Sequence, residues 1–439
     1  MISFSPAVVN NHRGLFVFGR LWNNFVMETV LIKNVSLAAK RQLSEMISIL
    51  VIDGKFADTF SSDKNFAGAT TLDFEGLQIL PGFIDVHNHG AVGVDVNEAD
   101  AEGLLEIGRF LARHGVTAWM PTLVPDSDAN YRRVISEIER LMLLQKDQNA
   151  AQAVGVHYEG VFANEKMCGA LRPEYFKRFT DLKTSTPSAE AAATPPKTGG
   201  ELIGLPRLRH GVHMTTFAPE IDGGIPLAYR LVEEGWVASI GHTRADIETL
   251  DKAYEAGARH ITHFYNAMTG LHHRDVGVVG WTLTNPHVTF DIIADGIHSN
   301  PKMLDFACRT KTPEKVALIS DSVAPTGLGD GSFELWGETI TVENGRTRNE
   351  RGSIAGSVIT MLDAVNNMRD LGFSNSDIAL MASRNPARLL GLESERGSIE
   401  IGKRADFTAL DSDGNVALTM IGGRIVFDAT RLVSPVAGN

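Results

Sequence analysis

Cysteine is almost missing from this chain: its 439 residues carry two, Cys168 and Cys308, too few for a disulfide framework. Long apolar runs are missing too. No uninterrupted stretch approaches the roughly 20 residues that a membrane-crossing helix needs, so a spanning segment is not expected. The stretch ahead of Met27 lacks the basic start, apolar middle and small-residue cleavage site of a secretory signal. Basic charge is in short supply, with 41 Lys and Arg against 53 Asp and Glu and a formal net charge of -12. That balance argues against non-specific binding to nucleic acid, which relies on clustered cations neutralising phosphates. It still allows a small anionic substrate, because one or two nearby cations outweigh a distant net charge. These absences predict a cytoplasmic protein in a reducing compartment, with neither a nucleic-acid nor a membrane partner.

What is present is ordinary for a globular chain, 43% hydrophobic and 21% charged, and the length suggests one large α/β domain plus a small one. Residues 1–26 differ in character from the rest of the chain and are expected to be a disordered tail or to lie upstream of the true start. Met27 opens METVLIKNVSL, a first strand.

Between residues 79 and 322 one pattern recurs: a short apolar, β-branched run, a polar end, then an amphipathic stretch. The runs are LPGFIDVHNHG, VTAWMPTL, AVGVHYEG, VHMTTFAP, VASIGH, HITHFYNA, TFDIIADG and VALISDS, eight candidate strands. Between them lie helix-like segments such as AEGLLEIGRFLARHG, where Leu104, Ile107 and Leu111 keep the spacing of one buried face, and IPLAYRLVEEG. Strands buried on both sides and alternating with helices predict a parallel sheet closed into a (β/α)8 TIM-type barrel over residues 79–393. An open doubly wound sheet is the runner-up, but no Gly-rich nucleotide turn follows an early strand. Residues 181–204, rich in Ser, Thr, Ala, Pro and Gly, read as a surface insertion. Strand-like pieces at 27–78 and 394–435 are too few on either side to bury a face alone, so both termini are expected to build one small β-domain, a β-sandwich beside the barrel.

In such a barrel the C-terminal ends of the strands face the active site. Polar side chains collect there: His87 and His89 on the first strand, Glu159 on the third, His242 on the fifth, His263 on the sixth, Asp295 and then His298 on the seventh, Asp321 on the eighth. A lone histidine is more often a hydrogen-bonded packing residue, but a shared position at successive strand ends overturns that reading. Imidazoles mixed with carboxylates suit zinc or iron with room for water, whereas calcium or magnesium would want more oxygen. Asp321 could take a proton from metal-activated water and return it to a leaving nitrogen. His157, two before Glu159, could support the ligands from below. His114, His210 and His260 read as surface or packing residues, and His213 stays unassigned. After the sixth strand, Arg274 and the backbone N–H groups near Asn266 and Ala267 would suit a phosphate. A solvated loop fits those residues equally well.

Taken together, GHTRADI, THFYNAMTGLHHRDVGVVG, IIADGIHSNP, ISDSVAPTG, GSIAGSVITM and SRNPARLLGL resemble the N-acetylglucosamine-6-phosphate deacetylase family of the amidohydrolase superfamily, from about Thr29 to Val426. The resemblance implies hydrolysis of the N-acetyl group of N-acetyl-D-glucosamine 6-phosphate to D-glucosamine 6-phosphate and acetate, in amino-sugar catabolism. N-acetyl-D-galactosamine 6-phosphate is the nearest rival substrate; another amidohydrolase activity or a non-catalytic barrel ranks below both. It implies metal ligands at Glu159, His242 and His263, a catalytic Asp321, and a second metal allowed by His87 and His89, hence one or two zinc or iron ions per subunit. Substrate contacts fall on Ala170, Leu171, Asn266, Ala267, Arg274, Asp295, His298, Ile354, Ala355, Gly356 and Ser357. It also implies a homodimer in which Arg274 reaches the neighbouring active site. Two departures stand out: Val161 occupies the place of a family proline, and Leu171 that of a histidine that polarises the acetyl carbonyl in relatives. A second metal, or a histidine from elsewhere, is expected to take over that role. Cys168 reads as a small buried residue near the site.

Overall fold

The computed structural model describes residues 29–37, 47–60, 66–179 and 201–429. The expected tail at 1–26 and most of the 181–204 insertion lie outside these residues; of the latter, Glu201–Leu202 pairs with Leu205–Pro206 in a short hairpin.

All eight expected barrel strands form. They are β1 (Phe83–Asn88), β2 (Val116–Leu123), β3 (Gly155–Phe162), β4 (Val212–Phe217), β5 (Val237–Ile240), β6 (His260–Ile261), β7 (Thr289–Ile293) and β8 (Val316–Ile319). Each pairs in parallel with the next in chain order from β1 to β8. The remaining junction, β8 to β1, closes just beyond the strands: the Asp321 N–H donates to the His87 carbonyl at 3.0 Å, and the His89 N–H to the Ser322 carbonyl at 2.8 Å. Asn88 and Ser322 form a parallel bridge there.

Two-sided burial explains why these strands read as continuous apolar runs. Ile84 and Val86, Met120, Met214, Ile293 and Ile319 come from five strands and meet in one buried cluster, which is possible only inside a closed barrel. On the outside, Trp119, Tyr158, Phe217, Phe290 and Leu318 pack in one core with helix residues. The helix Ala101–Arg113 shows the logic: Asp100 caps it by accepting the Gly103 N–H, and Leu104, Ile107 and Leu111 are buried, as their spacing predicts.

Both termini share a second sheet, ordered Arg424–Asp428, Val416–Ile421, Phe407–Leu410, Gln78–Pro81, Thr29–Leu37, Ile47–Ile52, Lys55–Phe60, with Thr70–Asp73 also on Thr29–Leu37. Its own core includes Ile32, Val51, Phe56, Phe407 and Met420. An element absent from the sequence expectation comes after β8: a three-stranded antiparallel sheet of Gly331–Leu335, Glu338–Glu343 and Arg346–Arg348. No described helix is long and apolar enough to cross a membrane.

Candidate metal centre and active site

The strand ends deliver their side chains by leaving β geometry. His242 (φ 47), His263 (φ 35) and Asp321 (φ 52) all sit in the left-handed region, which costs a non-glycine residue roughly 1–2 kcal/mol. After Glu159 the β3–β4 register shifts and Gly160 adopts φ 69, a bulge that turns the strand end away from the ladder. Non-ligand carboxylates hold these ends in place. Asp291 on β7 accepts the His263 N–H at 2.5 Å and bonds His260 Nε2 at 3.0 Å. Asp85 on β1 accepts from the Ser320 hydroxyl at 2.6 Å and the Asn88 amide at 3.2 Å, across the seam beside β8. Glu220, just beyond β4, accepts from the Asn164 amide, the Thr243 hydroxyl and the Arg244 N–H, tying the loops after β3 and β5 together.

The result is two buried triads, Glu159–His242–His263 and His87–His89–Asp321, each with donor atoms within 4.8 Å of one another. Glu159 lies between them: Oε1 is 3.0 Å from His242 Nε2 and from His263 Nε2, while Oε2 is 3.3 Å from His89 Nε2. His87 Nε2 and His89 Nε2 are 3.0 Å apart, as are His242 Nε2 and His263 Nε2.

This arrangement fits divalent metal. His242 Nδ1 lies 2.7 Å from the Met167 carbonyl and His89 Nδ1 3.1 Å from the Thr122 carbonyl. A carbonyl only accepts, so each Nδ1 carries the proton and Nε2 turns its lone pair to the centre, the orientation seen in metal-ligating histidine. The carboxylates call for positive charge at the same point. Burial would lower the imidazoles, yet Asp321 and Glu159 push His89 up to about 10, and Glu159 pushes His263 up to about 9. Burial opposes ionisation of Glu159 and Asp321 too, but neighbouring imidazoles, His87 foremost, hold both below the usual carboxylate range. His157 lies under the centre, its ring 4.7 Å from that of His87 and its Nε2 bonded to Thr216 at 2.7 Å; burial keeps it neutral.

Above the ligands opens a cavity of about 280 Å³. Among the expected contacts, Ala170, Leu171, Asn266, Ala267, His298, Ile354 and Gly356 line it. Asp295 stands behind His298, binding its Nδ1 at 2.6 Å. Ala355 and Ser357 turn away: Ala355 donates its N–H to Thr347, and the Ser357 hydroxyl donates to the Ser320 carbonyl. Arg274 is exposed and does not line its own chain's cavity. His260, expected at the surface or in packing, is buried against Asp291. His213 is buried too, accepting the Leu208 N–H at 2.9 Å and stacking on Trp236. The sequence reading missed Trp336, which lines the cavity from the tip of the extra sheet. Its one local signal is a Trp-Gly pair between two alternating runs, the mark of a hairpin turn.

Residues 78–426 match the pattern of the amidohydrolase family. An N-acetylglucosamine-6-phosphate deacetylase of Bacillus subtilis (strain 168) is 32% identical over 405 residues, covering 91% of this chain and 98% of that protein. An N-acetylgalactosamine-6-phosphate deacetylase of Escherichia coli O157:H7 is 32% identical over 348 residues, covering 79% of this chain and 87% of that protein. The crystal structure of N-acetylglucosamine-6-phosphate deacetylase from Pasteurella multocida superposes with a TM-score of 0.78 at 25% identity, over 90% of this chain and 99% of that one. A barrel with ligands at its strand ends, and relatives aligned along nearly their whole length, lead to one assignment: the chain belongs to the amidohydrolase family and, within it, to the N-acetylglucosamine-6-phosphate deacetylase family.

Proposed function

We propose that this protein hydrolyses the N-acetyl group of N-acetyl-D-glucosamine 6-phosphate to D-glucosamine 6-phosphate and acetate, in amino-sugar catabolism. The observation that carries the reading is the Asp321 carboxylate, 3.3 Å from His87 and 3.4 Å from His89, at the base of a cavity that Asn266, Ala267 and His298 also line. Glu159, His242 and His263 would hold one divalent zinc or iron ion, and His87 and His89 a second beside Asp321, with Glu159 between the two. Such ions supply Lewis acidity toward the acetyl carbonyl and acidify water. Asp321, kept ionised, accepts a proton from the attacking water as the new C–O bond forms. It returns that proton to the amine nitrogen as the C–N bond breaks. His298, its Nδ1 engaged by Asp295, has Nε2 left for the sugar. Asn266 and the Ala267 backbone bind phosphate, aided by Arg274 from a second subunit of a homodimer. A charged phosphosugar does not leak across membranes, so a cytoplasmic location goes with this substrate. We also take the two-termini sheet, 27–78 with 394–435, as a small domain separate from the barrel at 79–393.

Acetate release from N-acetylglucosamine 6-phosphate, its galactosamine epimer and both unphosphorylated sugars tests the proposal. The expected order puts the glucosamine phosphate first and the unphosphorylated sugars last. Because a galactosamine-acting relative is equally identical to this chain, preference for the C4 epimer is the specific alternative, and it would replace the first reading. No release from any of the four would leave a binding barrel.

A further inference from the structure

Trp336 stands at the turn between the strands Gly331–Leu335 and Glu338–Glu343 with φ 55, a conformation that strains any aromatic residue. Three contacts keep it there. Its indole N–H donates to Asp95 Oδ2 at 3.0 Å. Its ring meets His89 edge-on, with centroids 5.4 Å apart. Its flank packs on the buried cluster of Val124, Ala163 and Leu171. With its only donor spent on Asp95, the indole presents carbon to the cavity, as Leu171 does.

The two sides of the mouth thus differ. Asn266 and Ala267 follow β6 and His298 follows β7, whereas Leu171 follows β3 and Trp336 leans on His89 beyond β1. In a closed barrel of eight strands, β6 and β7 lie across the mouth from β2 and β3. A substrate whose phosphosugar is held beside β6 and β7, with its amide over the ligands, directs its acyl group to the other side. The sugar and the acyl group leave the C–N bond in opposite directions.

We infer that Trp336 and Leu171 form the wall that measures the acyl group, fitting an acetyl methyl and turning away longer chains. This rests on the deacetylase reading and adds to it which end of the substrate is selected, and by which residues. It also gives Leu171 a positive role, an apolar contact for the methyl.

The test compares kcat/KM for N-acetyl-, N-propionyl- and N-butyrylglucosamine 6-phosphate in the parent, Trp336→Gly and Leu171→Ala. Glycine suits φ 55, so Trp336→Gly removes the side chain without straining the turn. The parent should prefer acetyl over propionyl by about 10-fold or more, the scale set by one methylene against a close apolar wall. In either variant that preference should drop to about threefold or less, through a rise for the longer chains. Trp336→Phe, which keeps an apolar ring but loses the bond to Asp95, should retain more of the parental preference than Trp336→Gly does. An unchanged ratio in both truncations, in a parent that releases acetate, overturns the wall and leaves the deacetylase reading standing. A preference in Trp336→Phe no greater than in Trp336→Gly overturns the steric account, and a parent that releases no acetate overturns both readings.

Discussion

Asp321 and His87 meet twice across the seam of the barrel: the Asp321 N–H donates to the His87 carbonyl at 3.0 Å, and its Oδ1 lies 3.3 Å from His87 Nε2. The carboxylate is therefore fixed by its backbone as well as by its side-chain neighbours. Asp321→Asn keeps the size and the backbone bond but cannot accept the proton of water. We predict that the ion held by Glu159, His242 and His263 is retained and that kcat falls by about 10²–10⁴-fold, the usual worth of a positioned acid–base group. Near-parental turnover would remove Asp321 from that role.

Two triads joined through Glu159 lead us to expect two metal ions per chain. Elemental analysis should find about two in the parent and about one in His87→Ala, which dismantles only the triad beside Asp321. A fully active parent holding one ion would refute the second site.

A side chain at Gly160 would have to displace the tip of Leu171. A Cβ there would lie 2.1 Å from Leu171 Cδ1, at a φ of 69 that already disfavours alanine. Gly160→Ala should lose about 1–3 kcal/mol of stability and much of its kcat/KM, because the shift reaches Glu159. Adding Leu171→Ala should restore part of the loss, as a contact-dependent effect requires. Full additivity of the two changes would show that the clash is not the cause.

Arg274 sits outside its own cavity, so its proposed partner-site role can be tested by mixing. Arg274→Ala and Asp321→Asn should each be nearly inactive alone. Re-assembled together, they should regain about a quarter of parental activity, since half the dimers are mixed and each mixed dimer keeps one complete site. No recovery after exchange would show that Arg274 does not complete the partner's site.

His213 links stability to acid. Burial, reinforced by Arg207, lowers it to about 4 from an ordinary value of 6.5. Between those values the unfolded chain binds the extra proton, so the contribution is complete above pH 6.5 and is lost as pH falls toward 4. His213→Gln can still accept the Leu208 N–H but does not titrate. Urea unfolding at pH 7.5 and pH 5 should show the parent losing about 2 kcal/mol more than the variant. Equal losses would exclude a buried neutral His213.

The barrel was legible because its strands are buried on both faces, which writes each as an unbroken apolar run with its polar residues at one end. Glu159, His242, His263 and Asp321 could be read for that reason. The sheet at 331–348 was missed although its strands alternate between buried and exposed positions, because nothing in that local pattern says that the hairpin folds over the barrel mouth. Trp336 acquires its place from Asp95, 241 positions away, which local spacing cannot reveal. Asp85, Asp291 and Glu220 were invisible for a related reason: each acts largely on backbone N–H groups or on residues of other strand ends, and these have no sequence signature.

The seam between β8 and β1 carries a consequence for how the protein comes to life. The histidines on one side of that junction and the aspartate on the other are joined by polar bonds spanning 232 to 235 positions, through Asn88, Ser320, Ser322 and Asp85. A chain still on the ribosome, with its eighth strand unmade, carries His87, His89, Glu159, His242 and His263 but lacks Asp321 and the strand that closes the barrel on them. Shutting the barrel and arming the enzyme are a single event, so a partly folded chain has no half-built hydrolase to let loose.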